Sequence, residues 1–199
     1  PQSIIRIKTM SKKIFFASAA KAAFALAAVV MMSLAFAACG SDNDDDGGGG
    51  GTPLLPTPTA NTVTLDGTEK PILMTEYEDN GNYYLNLYLS ADRKERVEFE
   101  LNKDIHMTGS PIKLTEKEKK HDGKWYWIVE YHKPDGTTLI YAFAKPGNEA
   151  PVFTTGTLTI SGSPESTINI KLENGRVKDI NGNEHSLAMS YSGPMTKKK

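Results

Sequence analysis

One thiol, four histidines and a scatter of carboxylates are the groups in this 199-residue chain whose types and spacing bear on chemistry. The thiol is Cys39, set between an apolar run and the acidic, glycine-rich run GSDNDDDGGGG. Asp42, Asp44, Asp46 and Gly47 reproduce the first half of a calcium loop, D-x-D-x-D-G, in which alternate side chains supply hard oxygen ligands and the glycine permits the turn. The twelfth position is Pro53 where a bidentate Glu is required, and polyglycine cannot form the flanking helix, so no calcium site is expected. His106, His121, His132 and His185 stand at no recognised metal-ligand spacing and read as surface or turn residues. Glu98 and Glu100 share one strand face, an arrangement able to flank a glycosidic bond, but alternating glutamates are also the pattern of an ordinary solvent face. There is no G-x-S-x-G, H-E-x-x-H or phosphate loop. The sequence therefore assigns no catalytic residue, no metal and no cofactor, and the expectation is a protein that is not an enzyme.

The residues ahead of Cys39 are built for export. Lys12 and Lys13 follow Met10 as a positive n-region, and residues 22–38 carry no charge, which is the grammar of a secretory signal. Residues 1–9 read as upstream sequence. Phe36, Ala37 and Ala38 lead into the cysteine with two small residues next to it, and this junction resembles the lipobox of bacterial lipoproteins, with Phe36 where that family usually has Leu. The resemblance implies that Cys39 receives a diacylglycerol thioether, becomes the mature N-terminus and anchors the protein to a lipid bilayer. Ser41, Asp42, Asn43, Asp44, Asp45 and Asp46 look like the surface-export signal that many lipoproteins of the Bacteroidota carry just after the acylated cysteine. That likeness implies an outer-membrane protein facing the cell exterior.

Arg6, Lys8, Lys12, Lys13 and Lys21 all precede Cys39 while every one of the 24 acidic residues follows it, so the part beyond Cys39 is far more acidic than the whole-chain net charge of −1. An acidic domain lacks the phosphate-neutralising surface that nucleic acid requires, which excludes that partner class. Residues 40–61 hold little that could build a core and read as a flexible tether with an r.m.s. reach of about 25 Å. The expected organisation is an upstream segment and signal over 1–38, an acylated Cys and flexible Asp/Gly/Pro linker over 39–61, a β-domain over 62–195 and a basic tail over 196–199.

The elements that would position any site are strands. Period-two alternation marks 83–90, 96–102, 125–132, 137–144, 156–161, 167–173 and 185–192, with weaker candidates at 62–65, 72–77 and 176–180. Asp66-Gly67, Asn80-Gly81, Asp122-Gly123, Asp135-Gly136, Asn174-Gly175 and Asn181-Gly182 supply the pairs that tolerate positive φ in tight hairpins. The reading is an all-β fold, an antiparallel β-sandwich or flattened barrel of about eight to ten strands. A single helical turn is suggested over 115–120, where Thr115 and Glu118 fit a capping box.

Strands 83–90 and 125–132 also carry aromatic bulk on the second face, and Tyr84, Tyr88, Trp125 and Tyr126 are the candidate ligand-binding residues. Tyrosine and tryptophan faces stack on sugar rings, although the same residues are favoured on pleated surfaces for packing alone. Segments such as YYLNLYLS, GTLTISG and INIKLENGRV resemble the small β-rich lipoproteins of gut and oral Bacteroidota, a likeness that implies habitat and fold and carries no active-site residue. The functional expectation is a surface lipoprotein whose non-catalytic β-domain binds an extracellular glycan, host protein or small apolar molecule. The alternative is a structural or accessory subunit of an outer-membrane uptake or fimbrial assembly.

Overall fold

The computed structural model describes residues 52–199 apart from 122 and 124, so Cys39 and the run 41–46 lie outside the described residues. In chain order the strands are β1 (Thr62–Leu65), β2 (Thr68–Pro71), β3 (Met74–Asp79), β4 (Asn82–Tyr88) and β5 (Arg96–Asn102), then the one-turn helix α1 (Lys103–His106). They continue as β6 (Ile112–Lys113), β7 (Ile128–His132), β8 (Thr138–Phe143), β9 (Thr155–Gly162), β10 (Ile168–Lys178), β11 (Glu184–Gly193) and β12 (Thr196–Lys197). They form two six-stranded sheets, ordered β2-β1-β11-β10-β9-β6 and β12-β3-β4-β5-β7-β8. Every pairing is antiparallel except β12 with β3, which run parallel. The sheets pack as a sandwich and do not close into a barrel. The strand count exceeds the expected eight to ten because β2, β6 and β12 are short pieces without alternation, although 167–173 and 176–180 join as the single β10.

Alternation places the core. The inner face of the second sheet presents Leu85, Leu87, Val97, Phe99, Val129, Tyr131, Ile140 and Ala142, and the first presents Leu158, Ile160, Ile170, Leu172, Leu187 and Met189, all almost completely buried. Each large aliphatic or aromatic residue withdrawn this fully contributes about 1.5–3 kcal/mol. Trp127 is fully buried, with Phe153 edge-on at 6.5 Å. Glu95, itself buried, links the layers: its Oε1 accepts from Lys70 Nζ on the first sheet and from the Tyr131 hydroxyl on the second, both at 2.6 Å.

The structure corrects the sequence reading at five places. Asn174-Gly175 is not a hairpin turn. Strand β10 runs through it with a bulge, the register shifting from Leu172↔Met189 to Gly175↔Leu187. Leu172 and Val177 are an odd number of residues apart and would face opposite ways on a regular strand, and the extra bulge residue turns both into the core. Asn174 takes φ +51, and a Cβ at Gly175 would stand 2.5 Å from the Leu187 carbonyl oxygen.

Residues 115–120 form no helix, because Glu118 is drawn away by two histidines and its N–H donates to Ala144 O. The helical turn lies instead at α1, capped by Asn102, whose side chain accepts from Asp104 N. Residues 125–127 leave the ladder ahead of β7, although Trp127 remains buried. The expected basic tail joins β12 to β3, and Lys198 pairs with Glu78. The end of the expected tether is a strap: Leu55 N donates to Asn174 Oδ1, and Arg176 donates to Pro53 O. That strap borders a hollow of about 250 Å³ over Thr64, Ser186 and Ala188 on the outer side of the first sheet.

Candidate functional site

The outer face of the second sheet gathers most of the chemistry-bearing side chains. Cross-strand register sets Tyr84, Glu100, Ile128 and Phe143 in one row. Beside it run Glu76, Asn86, Glu98, Glu130 and Tyr141, then Met74, Tyr88, Arg96 and His132. Glu98 and Glu100 therefore do not form the ordinary solvent face expected of alternating glutamates. Flanking aromatics and the third glutamate, Glu130, leave both half-buried.

Most of these carboxylates have counter-charges. Glu76 meets Arg93 at 2.8 Å and accepts from the Tyr88 hydroxyl at 3.1 Å. Glu98 accepts from Arg96 Nε at 3.2 Å, and Glu130 lies 3.1 Å from His132 Nε2. Glu100 has no Lys or Arg partner among the described residues, and its Oε2 is sealed from solvent and without a hydrogen-bond partner. Burial, then the charges of Glu130 and Glu98, push its carboxyl up from 4.5 to about 7. Burial followed by neighbouring glutamates also raises the Tyr141 phenol. For Tyr84 burial raises the phenol most, a bond from Asn80 opposes it, and Glu100 adds to the rise.

An aromatic patch borders Glu100. Trp125 is 42% exposed and meets Tyr84 edge-on at 5.4 Å, while Tyr126 meets Phe143 at 6.5 Å. Trp125, Tyr126, Phe143 and Lys145 line a shallow pocket of about 290 Å³. Behind it, His121 stacks on Tyr126 at 4.1 Å and contacts Glu118 through Nε2 at 2.9 Å. Glu118 also receives His106 Nε2 at 2.6 Å, and the Asn102 N–H donates to His106 Nδ1, so the His106 proton sits on Nε2. Burial alone would raise the Glu118 carboxyl, but the bonds from both histidines hold it below its ordinary value. This chain of bonds fixes Tyr126 from behind.

Of the four aromatics expected to bind, Trp125, Tyr84 and Tyr126 come together around one patch. Tyr88 does not join their exposed surface: it is buried at 6%, and Arg93 lies 5.6 Å over its ring. It borders a separate polar hollow of about 300 Å³ with Arg93, Arg96 and Glu98, where the charges already answer one another. Two histidines expected at the surface are interior, His106 at 2% and His132 at 7% exposed. Sequence reasoning missed Glu130, Tyr141 and Phe143, because only cross-strand register sets them beside Glu100 and Tyr84.

Among the described residues no group of three His, Cys, Asp or Glu side chains is arranged to hold a metal ion, and no helix is long and apolar enough to cross a membrane. The arrangement offers aromatic faces, a half-buried acid and hydroxyl edges, which suit stacking and hydrogen bonding to a small ligand. Comparison with protein-family models, with curated proteins and with solved structures finds no match to this chain.

Proposed function

We propose that this protein is a lipid-anchored, surface-displayed β-sandwich that binds an extracellular ligand on the outer face of its second sheet and performs no chemistry on it. The observation that carries the binding role is Trp125. An indole left 42% exposed and edge-on to Tyr84, above a pocket shared with Tyr126 and Phe143, presents an apolar wall that folding itself leaves uncovered. The open patch suits a ligand that stacks and leaves, such as a sugar ring or a small apolar body. The anchoring role rests on the Ala37-Ala38-Cys39 junction and the acidic run after it.

Two measurements test this. Trp127 is fully buried, so a fluorescence change on ligand addition comes from Trp125 and vanishes in Trp125→Phe. A panel of glycans and small apolar compounds that leaves this signal unmoved removes the binding role, and turnover of a glycoside on the same face would replace it with a catalytic one. Cys39→Ser is expected to abolish fatty-acid labelling of the protein in a lipoprotein-processing host, and persistent labelling would refute the anchor.

A further inference from the structure

Three outward carboxylates of the second sheet are matched to Lys or Arg side chains. Glu76 has Arg93, Glu78 has Lys198 and Glu98 has Arg96, while Glu130 lies 3.1 Å from the imidazole of His132. Glu100 has no such partner among the described residues, and its Oε2 is withdrawn from water without a hydrogen bond. An unpaired, half-buried carboxylate is a costly group to keep, and glutamine at this position would remove the charge at nearly the same volume. Its place is specific: its cross-strand neighbours are Tyr84 and Ile128, and the Tyr84 ring carries Trp125 on its edge. A carboxylate with no Lys or Arg partner among the described residues thus adjoins the exposed aromatic patch, while the polar hollow of Arg93, Arg96 and Glu98 balances its own charges.

We propose that the ligand of the aromatic patch is a small cation, an ammonium or guanidinium group borne on an apolar or sugar-ring body, and that its positive group is the missing partner of Glu100. This inference rests on the binding role proposed above and adds the ligand's charge. Both surfaces favour the same ligand. Ring faces of Trp and Tyr attract a cation through their quadrupole, and a carboxylate accepts a charge-assisted hydrogen bond from it. Lys145, in the pocket lining with Phe143, repels the cation at that end and sets the ligand's direction, positive group toward β5 and body along Trp125 and Tyr126.

The test uses the full chain and the Trp125 fluorescence signal at pH 8, with probe pairs that differ in charge: benzylamine against benzyl alcohol, and arginine against citrulline. The charged member of each pair is expected to act at a concentration about tenfold or more below its neutral partner. Glu100→Gln is expected to shrink that ratio to about twofold, while Glu173→Gln, on the first sheet beside Lys171, leaves it unchanged. Equal response to charged and neutral probes overturns the cation assignment and leaves the aromatic site standing. Response to none of the four, with Trp125→Phe as the baseline, overturns the assignment and counts against the aromatic site as well. A ratio that Glu173→Gln reduces as much as Glu100→Gln does overturns the specific role of Glu100.

Discussion

Glu100→Gln should make the protein more stable, and only above mildly acidic pH. The carboxyl rises from 4.5 to about 7 on folding because burial, Glu130 and Glu98 all disfavour its charge. Between these values the folded protein holds a proton that the unfolded chain has released, so stability falls as pH rises. The proton's contribution is fully present below about pH 4.5 and is lost once pH has passed about 7. At 1.36 kcal/mol per pH unit the full difference corresponds to about 3 kcal/mol, and solvent screening at a half-buried position brings it to about 1–2 kcal/mol. Gln keeps the shape, cannot ionise and removes the repulsion on its neighbours. Thermal or urea unfolding of both proteins at pH 4.5, 6 and 8 should give near-equal stability at the lowest pH. At pH 8 the variant should hold an advantage of about 1–2 kcal/mol, or about 3–6 °C in Tm. An offset of the same size at every pH would refute the reasoning, because it would place the effect in packing instead of proton linkage.

Gly175→Ala should cost about 2–3 kcal/mol in urea unfolding, because its Cβ would stand 2.5 Å from Leu187 O and 2.6 Å from Leu172 Cδ2, and a cost under about 0.5 kcal/mol would show that the bulge relaxes freely. Tyr131→Phe should cost about 1–2 kcal/mol through the lost bond to Glu95, and Glu95→Ala distinctly more because it strands the buried hydroxyl and Lys70; the reverse order would remove Glu95 as the link between layers. His185 is expected to show the opposite sign of linkage to a depressed acid. Burial lowers its pKa, but the bond and charge of Asp66, with Asp179 adding, raise it overall. Its stabilising effect is therefore present below its unfolded value and lost as pH climbs through the folded one, so His185→Asn should be penalised more at pH 5.5 than at pH 8.5, and an equal penalty at both would refute the pairing.

Much of the sandwich is legible because burial on one face writes itself into a strand. RVEFELN, residues 96–102, coincides with β5, and the alternation over 83–90 lies within two residues of β4. Legibility ends where a local signal has two structural meanings. Asn-Gly serves a hairpin turn and a bulge alike, and what selects the bulge at 174–175 is the need to bring both Leu172 and Val177 inward against a neighbouring strand. Alternation continues through Trp125, yet the backbone there leaves the ladder. Thr115 and Glu118 make a plausible cap until His106 and His121 compete for the carboxylate. The site follows the same rule: Trp125 and Tyr84 can be nominated from their own strands, whereas the unpaired state of Glu100 depends on what β4, β7 and β8 bring beside it.

Both sheets are completed by opposite ends of the described chain. Strand β1, near its start, pairs with β11, and β12, near its end, pairs with β3. Neither layer has its full set of strands until β11 and β12 are available, and partners this distant in sequence make folding slow, since long loops must close before their contacts repay them. The first sheet of a nascent chain with such closure stays incomplete until β11 has been made. That delay suits the proposed address, because a protein threaded across a membrane travels unfolded and must postpone its own collapse until it arrives.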